Sequence, residues 1–118
     1  MQKVQHLDYY NVHFPILPIS DNQKDYAEEV VKKLKEHGLR VELDSRQEKI
    51  GYKIREAQLQ KIQYMPILGD KEVEAKKVGV RNRKDGDIGQ MDLDEFIAKI
   101  EKEVREFSLF FRFLYYLK

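Results

Sequence analysis

The stretch Leu39-Arg40-Val41-Glu42-Leu43-Asp44-Ser45-Arg46-Gln47-Glu48-Lys49-Ile50-Gly51-Tyr52-Lys53-Ile54-Arg55-Glu56 decides how the chain reads. From Leu39 to Asp44 apolar and polar residues alternate, the pattern of a half-buried strand. From Ile50 on the residues favour a helix, predicted from about Tyr52 to Ile62. Between them lies a polar turn with one glycine. The unit is strand–loop–helix, and its loop carries guanidinium, amide, carboxylate and ammonium groups in direct succession. Such groups read base edges and phosphates rather than build cores, so the loop is expected to help recognise an RNA. In the helix, Ile54 and Ala57 share a face, with Tyr52 and Leu59 nearly opposite. Lys53 and Arg55 are two apart, so a regular helix cannot aim both at one spot.

Upstream, Val12 to Ile19 is an apolar run that suggests a strand buried on both faces. Pro15 and Pro18 count against a regular central strand, because neither donates to a ladder. Ser20-Asp21-Asn22-Gln23 has the form of a capping box. Ala27, Val30, Val31 and Leu34 then fall on one helical face. Acidic residues early in this helix and basic ones late complement its dipole. Gly38 is placed to end it in a left-handed conformation. Residues 1–11 show no clear period and read as a leader.

Downstream, Tyr64 to Leu68 is a short apolar run with Pro66 inside it, stopped by Gly69-Asp70. It is expected to be the third strand. Val78 and Val80 alternate with Lys77, Gly79 and Arg81, giving a fourth strand with one basic face. Lys84 to Asp87 reads as a turn. Asp92 to Glu95 is a second capping box, with Met91 and Phe96 at the positions of a hydrophobic staple. Phe96, Ile97, Ile100, Val104 and Phe107 continue a helical face. The order strand–helix–strand–helix–strand–strand–helix implies an α/β sandwich about one mixed sheet, with the domain at 12–106. The tail, residues 107–118, is far more apolar than the rest. It packs back on the domain, forms a homodimer contact or exposed patch, or belongs to a junction; all three readings stay open.

At 118 residues the chain fits one domain with a real core. With 22 basic against 21 acidic residues, the net charge of +1 singles out no partner. A nucleic-acid site must therefore come from local segregation of charge. There is no cysteine, which removes disulfides and thiolate zinc sites and fits a reducing, cytoplasmic setting. No signal-peptide pattern and no bilayer-length apolar run occur, so no membrane partner is expected.

The chemistry of catalysis is missing. His6, His13 and His37 lack metal-ligand spacing, no glycine-rich phosphate loop occurs, and Ser20, Ser45 and Ser108 sit in no nucleophile motif. Neither a catalytic centre nor a bound metal is expected. What remains is polar groups at strand ends. Residues 46–61 carry Arg46, Lys49, Lys53, Arg55 and Lys61 against Glu48 and Glu56. Gln47 offers donor and acceptor together, Glu72 accepts, and Arg81 can make a bidentate contact, the groups that read single-stranded RNA. Composition alone leaves a merely solvated loop as the competing reading.

Arg46 through Glu56, with Tyr64-Met65, Gly69-Asp70-Lys71-Glu72-Val73-Glu74, Val78 through Arg83 and Gly89-Gln90-Met91, closely resembles the anticodon-binding domain of bacterial threonyl-tRNA synthetase, a class IIa enzyme. The likeness covers roughly residues 12–106. It implies a three-layer α/β/α fold with a five-stranded mixed sheet and three flanking helices. It also implies recognition of the threonine tRNA anticodon stem-loop, chiefly its second and third bases. The family's base-reading positions fall on Gln47, Glu72 and Arg81, with Arg55 in support and Lys49 and Lys53 close by. Asparagine often stands in the family where Gln47 stands here. The family's catalytic domain, with its zinc ligands and ATP site, has no counterpart in these residues, so RNA binding without aminoacylation is the expectation. A non-catalytic paralogue or engineered domain serving as a protein–protein accessory module is the alternative, and a general RNA binder a third reading.

Overall fold

The computed structural model describes residues 13–116, with side chains described through residue 106. The order is β1 (His13–Pro18), a 3-10 turn (Asp21–Gln23), α1 (Lys24–Glu36), β2 (Arg40–Leu43), α2 (Ile50–Leu59), β3 (Tyr64–Leu68), α3 (Asp70–Ala75), β4 (Lys77–Asn82), β5 (Gly86–Asp92) and α4 (Leu93–Tyr116). The strands form one mixed sheet in the order β2-β1-β3-β4-β5. β1 runs parallel to β2 and β3, whereas β3/β4 and β4/β5 are antiparallel.

The period-2 alternation of the strands sorts side chains to two faces. Phe14, Ile16, Tyr64, Leu68, Val78 and Val80 point to one face, against α1 and α4. There Phe96 packs edge-on against Phe14 and Tyr64, with ring centroids 5.8 and 5.9 Å apart. Leu17 and Met65 point to the other face, where Ala57 of α2 covers them, flanked by Ile50, Ile54 and Ile67. The result is the expected three-layer α/β/α arrangement. Each fully buried aliphatic or aromatic side chain contributes about 1.5–3 kcal/mol relative to exposure, so the larger cluster dominates stability. The predicted α1 face is the buried one, and Gly38 ends that helix at φ +81°. The Ser20 capping box forms, but it closes the 3-10 turn that leads into α1.

Three features depart from the reading of the residues. The sheet has a fifth strand, Gly86–Asp92, which the likeness implied and the residue pattern did not. Helix α3 stands where a loop was expected, so four helices flank the sheet instead of three. The prolines do not break β1 or β3. Ile19 N–H donates to the Leu68 carbonyl at 2.9 Å, and Asp44 N–H to the Ile16 carbonyl at 3.0 Å. By alternation the nitrogens of Pro15, Leu17 and Ile19 face β3, and that of Pro66 faces β1. Both missing donors thus fall on the β1/β3 seam, whose paired register is confined to Leu17–Pro18 against Ile67–Leu68. The outer ladders of both strands keep their register across both prolines, with Pro15 opposite Glu42 and Pro66 opposite Val80.

The tail is continuous with α4, which runs to Tyr116. The side chains that a homodimer contact there would use, and the leader at residues 1–11, lie outside the described residues.

Candidate nucleic-acid interface

The β2–α2 loop is held by one residue. Arg46 Nε donates to Asp44 Oδ1 at 2.9 Å and its NH2 to Asp44 Oδ2 at 2.8 Å. The same NH2 reaches Glu56 Oε1 at 2.6 Å, and the guanidinium lies 5.9 Å from the Tyr52 ring centroid. A planar fork suits this double duty, pairing with one carboxylate through two parallel bonds while reaching a second, a geometry an ammonium does not offer. Bonding to Arg46 holds the Asp44 carboxyl below its ordinary range, and Arg46 followed by Tyr52 does the same for Glu56. Arg46 itself is pushed upward by Asp44 and then Glu56.

Lys53 lies on the buried side of α2 at 3% exposure, which decides that its ammonium acts internally. It donates to the Asp44 carbonyl at 3.0 Å and to the Pro18 carbonyl at 3.4 Å. These are backbone acceptors at the carboxyl ends of β2 and β1, so the ammonium supplies them with a donor. Arg55, two residues on, is exposed on the outer side of α2 with Tyr52 and Leu59. Lys49 is exposed and accepts through its carbonyl the first amides of α2, Tyr52 N–H at 3.0 Å and Lys53 N–H at 3.2 Å. Gln47 is exposed and donates through Nε2 to both oxygens of Asp21, at 2.9 and 3.1 Å.

Glu72 and Arg81 both lie on the α2 side of the sheet. Glu72 Oε1 accepts from Gly69 N–H at 2.8 Å, capping α3, and Oε2 accepts from Gln90 Nε2 at 2.8 Å. Between them lies Gly79, where a β-carbon would come within 3.3 Å of Glu72 Oε2 and 3.1 Å of the Ile67 carbonyl. Arg81 follows two residues later on the same face of β4, opposite Met65. A bulge is accommodated on β5, which passes from Gly89 opposite Val80 to Asp87 opposite Arg81. Arg81 Nε is buried without a hydrogen-bond partner, and Arg81 takes part in none of the ion pairs among the described residues. Beyond β3 this face opens: Gln90 is exposed, Gly79 and Arg81 half-buried.

A polar chain joins the loop to this face. Buried Gln23 accepts from Ser20 N–H at 2.7 Å and donates to Asp70 Oδ1 at 2.6 Å, at the start of α3. Asp21, between Ser20 and Gln23, holds Gln47. A groove of about 940 Å³, lined among others by Pro18, Asp21, Arg46, Gln47, Lys49 and Lys53, runs along the carboxyl ends of β1 and β2. Crevices at such strand ends are where open α/β sheets take ligands.

Gln47 lines the groove at the ends of β1 and β2, whose lining includes neither Glu72 nor Arg81, and no hydrogen bond or ion pair among the described residues joins the Arg81 side chain to the other two. Glu72 of α3 lies over Gly79, on the face of β4 that also carries Arg81; from Gln47 the polar chain runs through the 3-10 turn to Asp70 at the start of α3. Sequence reasoning missed Arg46 as the organiser, and Asp21, Gly79 and Gln90 as partners. Only Arg46 left a signal, its place in the same short loop as Asp44 and Gln47. Among the described residues no group of three or more histidine or carboxylate side chains could hold a metal ion. No helix among them is long and apolar enough to cross a membrane.

This mixed five-stranded sheet flanked by helices is the fold of the anticodon-binding domains of the class II synthetases. The chain belongs to the anticodon binding domain family, whose model matches residues 13–103. Threonine–tRNA ligase of Clostridium tetani is 61% identical over 93 residues, 79% of this chain and 15% of that protein. The Clostridium botulinum enzyme (strain Hall) is 61% identical over 94 residues, 80% and 15% of the two chains. The chain thus spans about 15% of the length of these curated relatives. The crystal structure of the RNA binding domain of threonyl-tRNA synthetase from Cryptosporidium parvum Iowa II superposes with a TM-score of 0.71 at 33% identity, covering 76% of this chain and 23% of that one. Prolyl-tRNA synthetase of the same organism also matches at a TM-score of 0.71, with 26% identity over 80% of this chain and 21% of its own.

Proposed function

We propose that this chain binds the anticodon stem-loop of threonine tRNA, with unstacked bases meeting Gln47, Glu72 and Arg81. The observation that carries the reading is Arg81: its Nε is buried and unpartnered, on the open face that also holds the Glu72 carboxylate. A buried donor without an acceptor is costly, so the side chain gains by turning toward an acceptor that a ligand brings to the open face. A base edge displaying both an acceptor and a donor answers Arg81 and Glu72 together. Arg55 and Lys49, exposed beside the loop, supply charge to the phosphates. Lys53 contributes by fixing the strand ends under the loop. The identity to threonine–tRNA ligases supports threonine tRNA as the ligand, and the role proposed for this segment is recognition. Cytoplasm, where translation draws on tRNA, is the setting that goes with it.

The test is a binding competition between threonine tRNA stem-loops with intact and with swapped second and third anticodon bases. The reading expects the intact loop to win at both positions. Equal affinity for all loops, with a salt slope of about −0.7 per phosphate, would make the chain a general RNA binder.

A further inference from the structure

Asp21 is a carboxylate inside a groove meant for a polyanion, and its place there calls for an explanation. A carboxylate next to RNA phosphates repels them, so its presence costs affinity unless it does something else. Its two oxygens lie 3.1 and 2.9 Å from Gln47 Nε2. No cation of the chain pairs with it in the ion pairs among the described residues.

A glutamine amide can turn over and exchange its oxygen for its NH2 group with little change of shape. A free Gln47 would therefore offer a base either an acceptor or a donor and would discriminate poorly. A carboxylate only accepts. Facing Asp21, the amide has one favoured orientation, NH2 toward the carboxylate and Oε1 away from it.

We infer that Asp21 is a specificity-setting residue, which locks the Gln47 amide so that its carbonyl oxygen faces the groove and selects a nucleobase edge presenting an N–H donor. Asp21 acts through Gln47 and touches no base itself. The inference rests on the function proposed above and adds the polarity of one of its contacts. The position of Asp21 is itself fixed: Ser20 and Gln23 on either side of it form the capping box of the 3-10 turn, and Gln23 is anchored to Asp70.

The experiment measures the affinity of the parent chain, Asp21→Asn, and the double variant Asp21→Asn with Gln47→Glu. Each is titrated with cognate stem-loops and with loops in which one anticodon base at a time is exchanged for one presenting the opposite polarity. In Asp21→Asn the residue at 21 can itself turn, so Gln47 is released. The expectation is that discrimination at one anticodon position falls by about three- to tenfold, the worth of one hydrogen bond, while discrimination at the other is unchanged. In the double variant the carboxylate at 47 accepts from the amide at 21 and still presents an acceptor outward, so discrimination returns. A uniform rise in affinity for every loop, with each ratio as in the parent, would show that Asp21 acts through charge alone and would overturn the inference. Failure of the double variant to recover discrimination lost in the single one would overturn it too. If the parent fails to discriminate at either position, it is the anticodon reading that falls, a result separate from these. Thermal unfolding of each variant separates loss of fold from loss of selectivity.

Discussion

The Glu72 carboxylate lies over Gly79, so close that a methyl group on the glycine would sit 3.3 Å from Oε2. The backbone at Gly79 has an ordinary conformation; what the position requires is space. Gly79→Ala is expected to push Glu72 off Gln90 and to crowd the Ile67 carbonyl. Chemical denaturation should show a loss of about 1 kcal/mol, the low end for overpacking. Stem-loop titration should show a weaker preference for the cognate base, with binding to mismatched loops little changed.

Arg81→Ala is expected to weaken cognate binding by about 1–3 kcal/mol, the worth of a bidentate base contact. Stability should hardly fall, because the substitution also removes a buried donor that has no partner. Anisotropy titration and denaturation of the same preparation check both parts. Parental affinity together with parental base preference would remove Arg81 from the site.

Lys53→Met tests whether that lysine serves the fold or the phosphates. The apolar replacement leaves the Pro18 and Asp44 carbonyls without their donor, at a cost of about 1–3 kcal/mol in denaturation. The salt slope of RNA binding should stay as in the parent. A slope smaller by about 0.7 would instead place the ammonium on a phosphate.

Acid should loosen the β2–α2 loop. Asp44 and Glu56 have carboxyls held below their ordinary values of 3.8 and 4.5 by Arg46. A group with a depressed folded-state pKa stabilises the fold above its unfolded value and loses that contribution as pH falls through the folded one. Stability should therefore drop as the solution is acidified below those ordinary values, and Arg46→Ala should flatten that part of the curve. Unfolding midpoints measured between pH about 7 and about 3 would show it; parallel curves for parent and variant would count against it.

Strong local patterns were legible. The alternation at Leu39–Asp44, the capping box at Ser20 and the apolar face of α1 all stand in the structure because each is a short-range rule, and of the box at Asp92 the Glu95 half forms, Asp92 N–H donating to Glu95 Oε1 at 3.3 Å. β5 was not legible: its residues, Gly-Asp-Ile-Gly-Gln-Met-Asp, are poor strand formers, two of its glycines have positive φ, and pairing with β4 alone makes it a strand. α3 was hidden because its cap is a glycine whose N–H is taken by Glu72, so the usual hydroxyl signature is absent. Within the site, the opposite orientation of Lys53 and Arg55 followed from helical spacing. The burial of Lys53 did not, since a lysine at that spacing is equally at home in solvent. The meeting of Asp21 with Gln47 is a contact between residues 26 apart, which no local pattern encodes.

The thin ladder between β1 and β3 separates the residues proposed to read RNA. Gln47 rides on the β2–β1 plate, Glu72 and Arg81 on the β3–β4–β5 plate. Along the crease between them the two prolines remove backbone donors, so the ladder is confined to the Leu17–Pro18 end with the Ile19–Leu68 bond, joined at the rim by the Gln23–Asp70 contact. On the proposed reading, the spacing between the nucleotide at Gln47 and the one at Glu72 and Arg81 follows from how these two plates are joined along that short seam.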